Sequence, residues 1–107
     1  MDERFAGMHA VHTNNNLCLI VFGLKLAEGD LMRGLSQTVA MGLDSDCTAA
    51  SAGSILGAVL GKSAIAPELY ECFHDRMDTY LKNTEAFSIR DMAKRYSALA
   101  HKVHSRL

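Results

Sequence analysis

The residues best suited to chemistry lie in one short acidic segment, residues 44–48, which reads Asp-Ser-Asp-Cys-Thr. Asp44 and Asp46 are two positions apart and directly precede a run of small residues typical of a buried helix. Two anions this close repel each other unless a helix N-terminus or a divalent cation supplies positive charge between them. Oxygen ligands favour Mg²⁺, Mn²⁺ or Ca²⁺ over zinc. The segment therefore predicts a cation site; the alternative is that Asp46 only caps the helix and Asp44 is solvated.

Two neighbouring patterns imitate known binding motifs but fail on spacing. An EF-hand loop beginning at Asp44 needs glycine at its sixth position and glutamate at its twelfth, and these positions hold Ala49 and Ile55. Residues 57–63 imitate a phosphate-binding loop, but they have too few residues between the two glycines, and they close a helix instead of opening one. We therefore expect neither a calcium loop nor a nucleotide loop.

Histidine and cysteine offer further candidates. The pairs His9/His12 and His101/His104 each have the spacing that lets a helix bring both rings to one metal, but the second pair lies near the end of the chain with no third ligand. Cys47 is predicted at a helix N-terminus, where the pKa of a thiol can fall, yet no histidine is obviously tied to it. We interpret Cys47 as a small residue that lines a site and not as a nucleophile.

Composition excludes several classes of protein. The chain has 107 residues, of which 49% are apolar and 21% charged, and this is typical of one small globular domain and not of a disordered chain. A net charge of −1 argues against a nucleic-acid partner, and no apolar run is long enough to span a membrane. Asp2 and Glu3 stand where a signal peptide carries basic residues. Three widely spaced cysteines without a CxxC pair favour free thiols in a reducing cytosol, so we expect a cytoplasmic protein.

The elements that must position the acidic segment are predicted to be helices. Ala, Leu and Met greatly outnumber Val, Ile and Thr, so we expect an all-α fold, a compact helical bundle that forms a single domain over residues 1–107. One helix is expected to begin at Thr13 or Asn14, either of which can cap it, and to end at residues 28–29. Asp30 is expected to cap the next helix, which Gly42 ends. The short link between these two helices predicts that they form an αα-hairpin.

A third helix is predicted over residues 47–60. It is small or apolar on every side, so we expect neighbouring elements to bury all of its faces. Gly53, Gly57 and Gly61 recur every four residues and share one face. Because glycine lowers helix propensity, we expect another backbone to pass close to that face.

The last part of the chain carries one strong helical signal. Pro67 suits the first position of a short helical turn, whereas residues 73–84 show no assignable pattern. Ser88 and Asp91 resemble a capping box that opens an amphipathic helix, which we expect to pack on the rest of the domain. Its apolar stripe consists of Ile89, Met92, Ala93, Tyr96, Leu99, Ala100 and Val103.

Five segments extend the pattern well beyond the acidic pair. They read VHTNNN at 11–16, AEGD at 27–30, GLDSDCTAASAGSILGA at 42–58, DR at 75–76 and SIRDMA at 88–93. Together they resemble the ADP-ribosylglycohydrolase family, whose motifs read VHTxNN, GEGD, GxDxDCxxAxxGSILGA, DR and SISDLA. The resemblance covers nearly the whole chain, and its central motif is long enough to be specific.

The resemblance implies an all-α hydrolase that cleaves an N- or O-glycosidic bond at the anomeric carbon of ADP-ribose, with two Mg²⁺ or Mn²⁺ ions as cofactors. Asp44 and Asp46 match the two metal-binding aspartates of the family's C-terminal motif, so they would act in catalysis through the metal. Many members have Thr or Ser after the second aspartate, and its hydroxyl is also a metal ligand. This chain has Cys47 there, so the sequence leaves the identity of the third metal ligand open. The resemblance also places five residues beside the substrate, namely His12, Asn15, Ser45, Cys47 and Thr48.

The family's other metal ligands come from an N-terminal Thr-Asp-Asp segment, which this sequence does not contain. We therefore expect a fragment of a larger domain: a truncated product, a cloned fragment or one half of a split protein. The expected partners are an ADP-ribosylated protein or ADP-ribose derivative and a missing N-terminal half, without nucleic acid or membrane. One hypothesis is a hydrolase portion that is active only when completed, and the other is a non-catalytic helical interaction module. The isolated chain is expected to be inactive and to form a homo-oligomer.

Overall fold

The computed structural model describes residues 6–106 of the chain. The described part contains four α-helices, which are α1 (Thr13–Ala27), α2 (Leu31–Ala40), α3 (Ser45–Leu60) and α4 (Ile89–His104). It also contains two short strands, β1 (Arg76–Asp78) and β2 (Ala86–Ser88), and three 3₁₀ turns, Lys62–Ala64, Pro67–Leu69 and Glu71–Phe73. The predicted all-α class is confirmed, with the small sheet as an addition.

The chain forms two compact units, Met1–Ile65 and Ala66–Leu107. The first contains α1, α2 and α3, and the second contains the sheet and α4. None of the helices described here is long and apolar enough to cross a membrane. The predicted free thiols are confirmed at Cys18, Cys47 and Cys72. That both units belong to one larger domain stays a prediction.

Helix α1 begins at Thr13, as predicted, but its cap lies one residue earlier than expected. His12 is its N-cap, and the backbone N–H of Asn14 donates to Nδ1 of His12 over 3.2 Å, so the prediction of a Thr13 or Asn14 cap is wrong. The imidazole nitrogen takes the part that a hydroxyl or carboxylate oxygen more commonly plays. The predicted end is confirmed, because Glu28 and Gly29 both adopt the left-handed conformation, with φ of 50° and 84°.

Helix α2 has the predicted cap and forms the predicted hairpin with α1. The backbone N–H of Arg33 donates to Oδ1 of Asp30 over 2.6 Å, and Gly42 leaves the helix end with φ of 73°. The two helices pack closely, because a Cβ added at Gly23 of α1 would overlap Oγ1 of Thr38 on α2. Glycine at position 23 is therefore what allows this approach.

Helix α3 packs against α1 and α2 through one face only. Thr48, Ala52 and Leu56 are buried, whereas Ile55 is 46% and Val59 78% exposed. The prediction that every face of this helix is buried is therefore wrong. Among the described elements of the first unit, α1, α2 and the 3₁₀ turn Lys62–Ala64 contact this helix and leave part of its surface in solvent.

The prediction that Gly53, Gly57 and Gly61 form a close-packing face is wrong at Gly57 and Gly61. Among the described residues, a Cβ at Gly57 would meet only Cδ1 of Ile65, at an ordinary 3.8 Å, and a Cβ at Gly61 would meet nothing within 4 Å. At Gly53 a Cβ would lie 2.9 Å from Cδ2 of Leu35, the flexible end of a side chain. The tighter approach is at Gly34 of α2, which the sequence pattern did not single out.

The second unit contains a small antiparallel sheet in the region without a predicted assignment. β1 pairs with β2 so that Met77 lies opposite Phe87. Pro67 occupies the first position of its 3₁₀ turn, as predicted. The predicted Ser88 cap is also confirmed, because the backbone N–H of Asp91 donates to Oγ of Ser88 over 3.0 Å.

Helix α4 carries its apolar stripe largely in solvent. None of its residues is buried, and Tyr96 is 66% exposed. Leu99 and Val103 are also more than half exposed. The period of the sequence is helical, as predicted, and no described element of the second unit buries the apolar side. That this stripe packs on the rest of the domain stays a prediction.

Candidate functional site

The predicted acidic pair comes together with one thiol at the start of α3. The carboxylate oxygens of Asp44 and Asp46 and Sγ of Cys47 all lie within 4.8 Å of one another. Asp44 is half-buried, and the other two residues are exposed. Gly42 and Leu43, both at positive φ, turn the chain from α2 into this position. The cluster is open to solvent on one side and fixed by a helix on the other.

The structure does not favour the alternative in which Asp46 serves only as a helix cap. Asp44 is the N-cap residue, and its side chain makes no capping hydrogen bond. Asp46 lies within the first turn, where the helix dipole stabilises a negative charge without a cap contact. The carboxylate of Asp44 is not simply solvated either, because it has a partner on another helix.

That partner is Asn16, in the first turn of α1. Its Nδ2 donates to Oδ2 of Asp44 over 2.6 Å, and its Oδ1 is buried without a partner among the described residues. Asn16 belongs to the VHTNNN motif, but it was not predicted as a site residue. The run of three asparagines at the head of an otherwise apolar helix is the signal that could have pointed to it.

The predicted substrate neighbours of α1 have structural partners. Asn15 is 2% exposed, and its Nδ2 donates to the carbonyl of His9 over 3.0 Å, while its Oδ1 has no partner in the described part of the chain. His12 is exposed, and its Nδ1 caps α1. Within residues 6–106 neither His9/His12 nor His101/His104 belongs to a group of three potential metal ligands.

The two hydroxyl residues at the start of α3 differ in their availability. Thr48 is fully buried, and its Oγ1 lies 3.1 Å from the carbonyl of Asp44 and 3.3 Å from that of Ser45, to which it can donate. This hydroxyl therefore holds the first turn of α3 together. Ser45 is half-buried and lies between the two aspartates in sequence. Sγ of Cys47 is the third potential metal-ligand atom of the cluster, beside the carboxylate oxygens of Asp44 and Asp46.

The environment of Cys47 keeps its thiol protonated. A hydrogen bond with Asp44 raises the pKa of Cys47, and the negative charges of Asp44 and Asp46 raise it further. A helix N-terminus would lower the pKa of a thiol, but two adjacent carboxylates oppose that effect. The geometry agrees with the interpretation of Cys47 as a residue that lines the site and is not a nucleophile.

The sequence as a whole decides the family. A family model described as ADP-ribosylglycohydrolase matches residues 2–105. The chain belongs to the ADP-ribosylglycohydrolase family. Neither a curated protein nor a solved structure matches it significantly. Membership in the ADP-ribosylglycohydrolase family confirms the resemblance and supports a glycohydrolase-type, hydrolytic function in general.

The family is generally metal-dependent, and the donor set of this chain fits a divalent cation. Two carboxylates within reach of one point provide the oxygen ligands and the negative charge that a hard cation requires. The thiol of Cys47 adds a softer donor at the same point. Among the described residues, no Lys or Arg forms an ion pair with either carboxylate.

Proposed function

We propose that this chain takes part in the metal-dependent hydrolysis of ADP-ribosyl glycosidic bonds, which removes ADP-ribose from a modified protein or a small molecule. The observation that carries the proposal is the convergence of Asp44 and Asp46, within 4.8 Å, in a chain matched by the family model over residues 2–105. The two aspartates would hold one of two Mg²⁺ or Mn²⁺ ions. In this proposal the substrate carries an ADP-ribosyl group, and its linkage stays open among ADP-ribosyl-arginine, ADP-ribosyl-serine and a free ADP-ribose derivative.

The residues of the chain have separable tasks in this proposal. When bound, the paired ions activate water and orient the ribose hydroxyls. Asp44 and Asp46 would hold an ion at the start of α3, and Thr48 holds the backbone at that point through the carbonyl of Asp44. Cys47 lines the exposed side of the cluster, where its Sγ would be a third potential ligand.

The second half of the metal site would come from a Thr-Asp-Asp segment that this sequence does not contain. Asp44 and Asp46 would supply ligands for one ion only, and the second ion would need ligands from elsewhere. We therefore propose that the chain alone is inactive and that a complementing N-terminal part completes it.

A coupled assay tests this function. ADP-ribose release is measured on ADP-ribosyl-arginine, on ADP-ribosyl-serine and on an ADP-ribose derivative with a small leaving group at the anomeric carbon, with and without a fragment bearing a Thr-Asp-Asp segment. Release should require the fragment and Mg²⁺ or Mn²⁺, and it should be lost in Asp44→Ala/Asp46→Ala. Undiminished release in that variant would contradict the proposal.

The exposed stripe of α4 favours a second candidate, a non-catalytic interaction module. Tyr96, Leu99 and Val103 are each more than half exposed, which suits association better than catalysis. The same assay separates the two candidates. A module would give no release with any complementing fragment, and its association with other chains would be unaffected by Asp44→Ala/Asp46→Ala.

A further inference from the structure

Asp44 is the N-cap residue of α3, but its carboxylate does not cap the helix. An N-cap aspartate usually accepts a hydrogen bond from the second or third amide of the helix, and Asp44 makes no such bond. The N–H of Thr48 donates to the carbonyl of Asp44 over 3.0 Å, which is the ordinary first bond of a helix and does not involve the carboxylate. Within α3 the thiol of Cys47 hydrogen-bonds with Asp44, and a second contact that orients this carboxylate comes from another helix.

Asn16 sets that orientation from α1. Its Nδ2 lies 2.6 Å from Oδ2 of Asp44, across a separation of 28 positions in sequence. If the amide turned over, its Oδ1 would face the carboxylate, and two acceptors would oppose each other. The present orientation gives Asp44 a donor, although it leaves Oδ1 of Asn16 buried and unpartnered within the described residues.

The chemical type of this donor suits a cation site. An amide N–H is neutral, so it fixes one oxygen of the carboxylate and leaves the negative charge in place. A lysine or arginine at the same point would neutralise that charge and compete with the cation. Carboxylates that bind metals are commonly held by hydrogen bonds from residues behind them, and loss of such a residue typically weakens metal binding.

We propose that Asn16 is a positioning residue for the metal site: its amide fixes Oδ2 of Asp44 so that Oδ1 of Asp44 and the carboxylate of Asp46 are left for the cation. This inference rests on the proposed function, because it assumes that Asp44 and Asp46 bind a divalent ion. It assigns a function in the α3 cluster to a residue of α1.

Titration with Mn²⁺ on the intact chain tests the inference. Asn16→Ala should raise the dissociation constant by about 10–100-fold. Asn14→Ala is the matched control, since Asn14 is exposed in the same helical turn and no hydrogen bond among the described residues joins its side chain to Asp44, and it should bind as the wild type does. The double variant Asn16→Ala/Asp44→Ala should bind no more weakly than Asp44→Ala alone, because Asn16 acts through Asp44.

The outcomes distinguish this inference from the function on which it rests. If the wild type binds Mn²⁺ more tightly than Asp44→Ala, and Asn16→Ala binds as tightly as the wild type, the positioning role is overturned and the metal site stands. If wild type and Asp44→Ala bind equally, both proposals are overturned.

A second measurement covers the case in which Asn16→Ala does not fold. In the wild type, Mg²⁺ should shift the side-chain amide resonance of Asn16 together with the backbone amides of Ser45 and Asp46, and leave the side chain of Asn14 unmoved. An Asn16 resonance that does not respond while Asp46 does would overturn the inference.

Discussion

A Cβ atom added to Gly34 would lie 2.5 Å from Cδ1 of Leu56 and 2.8 Å from Cβ of Ala27. Helices α1, α2 and α3 thus converge on one residue without a side chain. Leu56 can rotate away, but the Cβ of Ala27 is fixed to its backbone. Gly34 is therefore a position where an added side chain would collide with both α1 and α3.

Gly34→Val should therefore destabilise the protein by about 1–3 kcal/mol, because the added atoms have no space between Ala27 and Leu56. Gly57→Ala is the control: its new Cβ meets only Ile65 at 3.8 Å, so the gain of about 1 kcal/mol in helix propensity should raise the melting temperature. Thermal unfolding followed by circular dichroism measures both. A Gly34→Val protein as stable as the wild type would refute the close approach.

Asp44→Ala/Asp46→Ala should abolish binding of Mn²⁺, and the wild type should bind it weakly. Binding is weak because the protein supplies few of the six to eight ligands that hard cations take, and water fills the remaining positions. Isothermal titration calorimetry on the two proteins makes the comparison. Glu68→Ala/Glu71→Ala removes the same charge from another part of the chain and should leave the binding heat unchanged; equal loss in both variants would indicate a general charge effect instead of a site.

Thr48→Val should cost about 1 kcal/mol of stability, since it replaces a buried hydroxyl that hydrogen-bonds at the first turn of α3 with a methyl group of similar size. Ser51→Ala removes an exposed hydroxyl that donates to the carbonyl of Cys47 over 2.9 Å, and it should change stability by a few tenths of a kcal/mol at most. Urea unfolding of both variants provides the test. If Ser51→Ala proves the more costly change, the anchoring role of Thr48 is wrong.

The isolated chain should form a dimer, with a mass near twice 11.7 kDa in light scattering. Leu17 and Val21 are 58% and 57% exposed and lie one turn apart on α1, so they provide apolar surface for association. Leu17→Glu/Val21→Glu should shift the mass towards that of a monomer. Leu99→Glu applies the same change to α4 and shows whether that helix contributes; a wild type that stays monomeric across a concentration series contradicts the expectation.

The local features of the fold could be predicted from the sequence, because their causes lie within a few residues. Asp30 and Ser88 cap their helices as expected, since each side chain accepts from an amide three positions away. His12 was missed because histidine is an uncommon cap. The acidic cluster was predicted as well, because a spacing of two positions at a helix start holds the carboxylates together wherever the helix lies.

The non-local features could not be predicted, because they depend on which helix crosses which. Asn16 reaches Asp44 only when α1 passes the start of α3, and one asparagine carries no periodic signal of that. Gly34 is equally isolated in sequence, whereas the regular series at Gly53, Gly57 and Gly61 suggested a contact that is mostly absent. Periodicity likewise shows which side of α4 is apolar, and not whether another element covers it.

The short connections between α1, α2 and α3 affect the order in which the chain acquires its structure. Each helix packs on one that is adjacent or next to adjacent in sequence, so few loops must close before stabilising contacts form. Helical proteins with such local contacts fold within about microseconds to milliseconds. Ribosomes add about 5–20 residues per second, so Ala66–Leu107 takes seconds to synthesise. Met1–Ile65 can therefore complete its fold, with Asn16 already hydrogen-bonded to Asp44, soon after it leaves the ribosome and while α4 is still being translated.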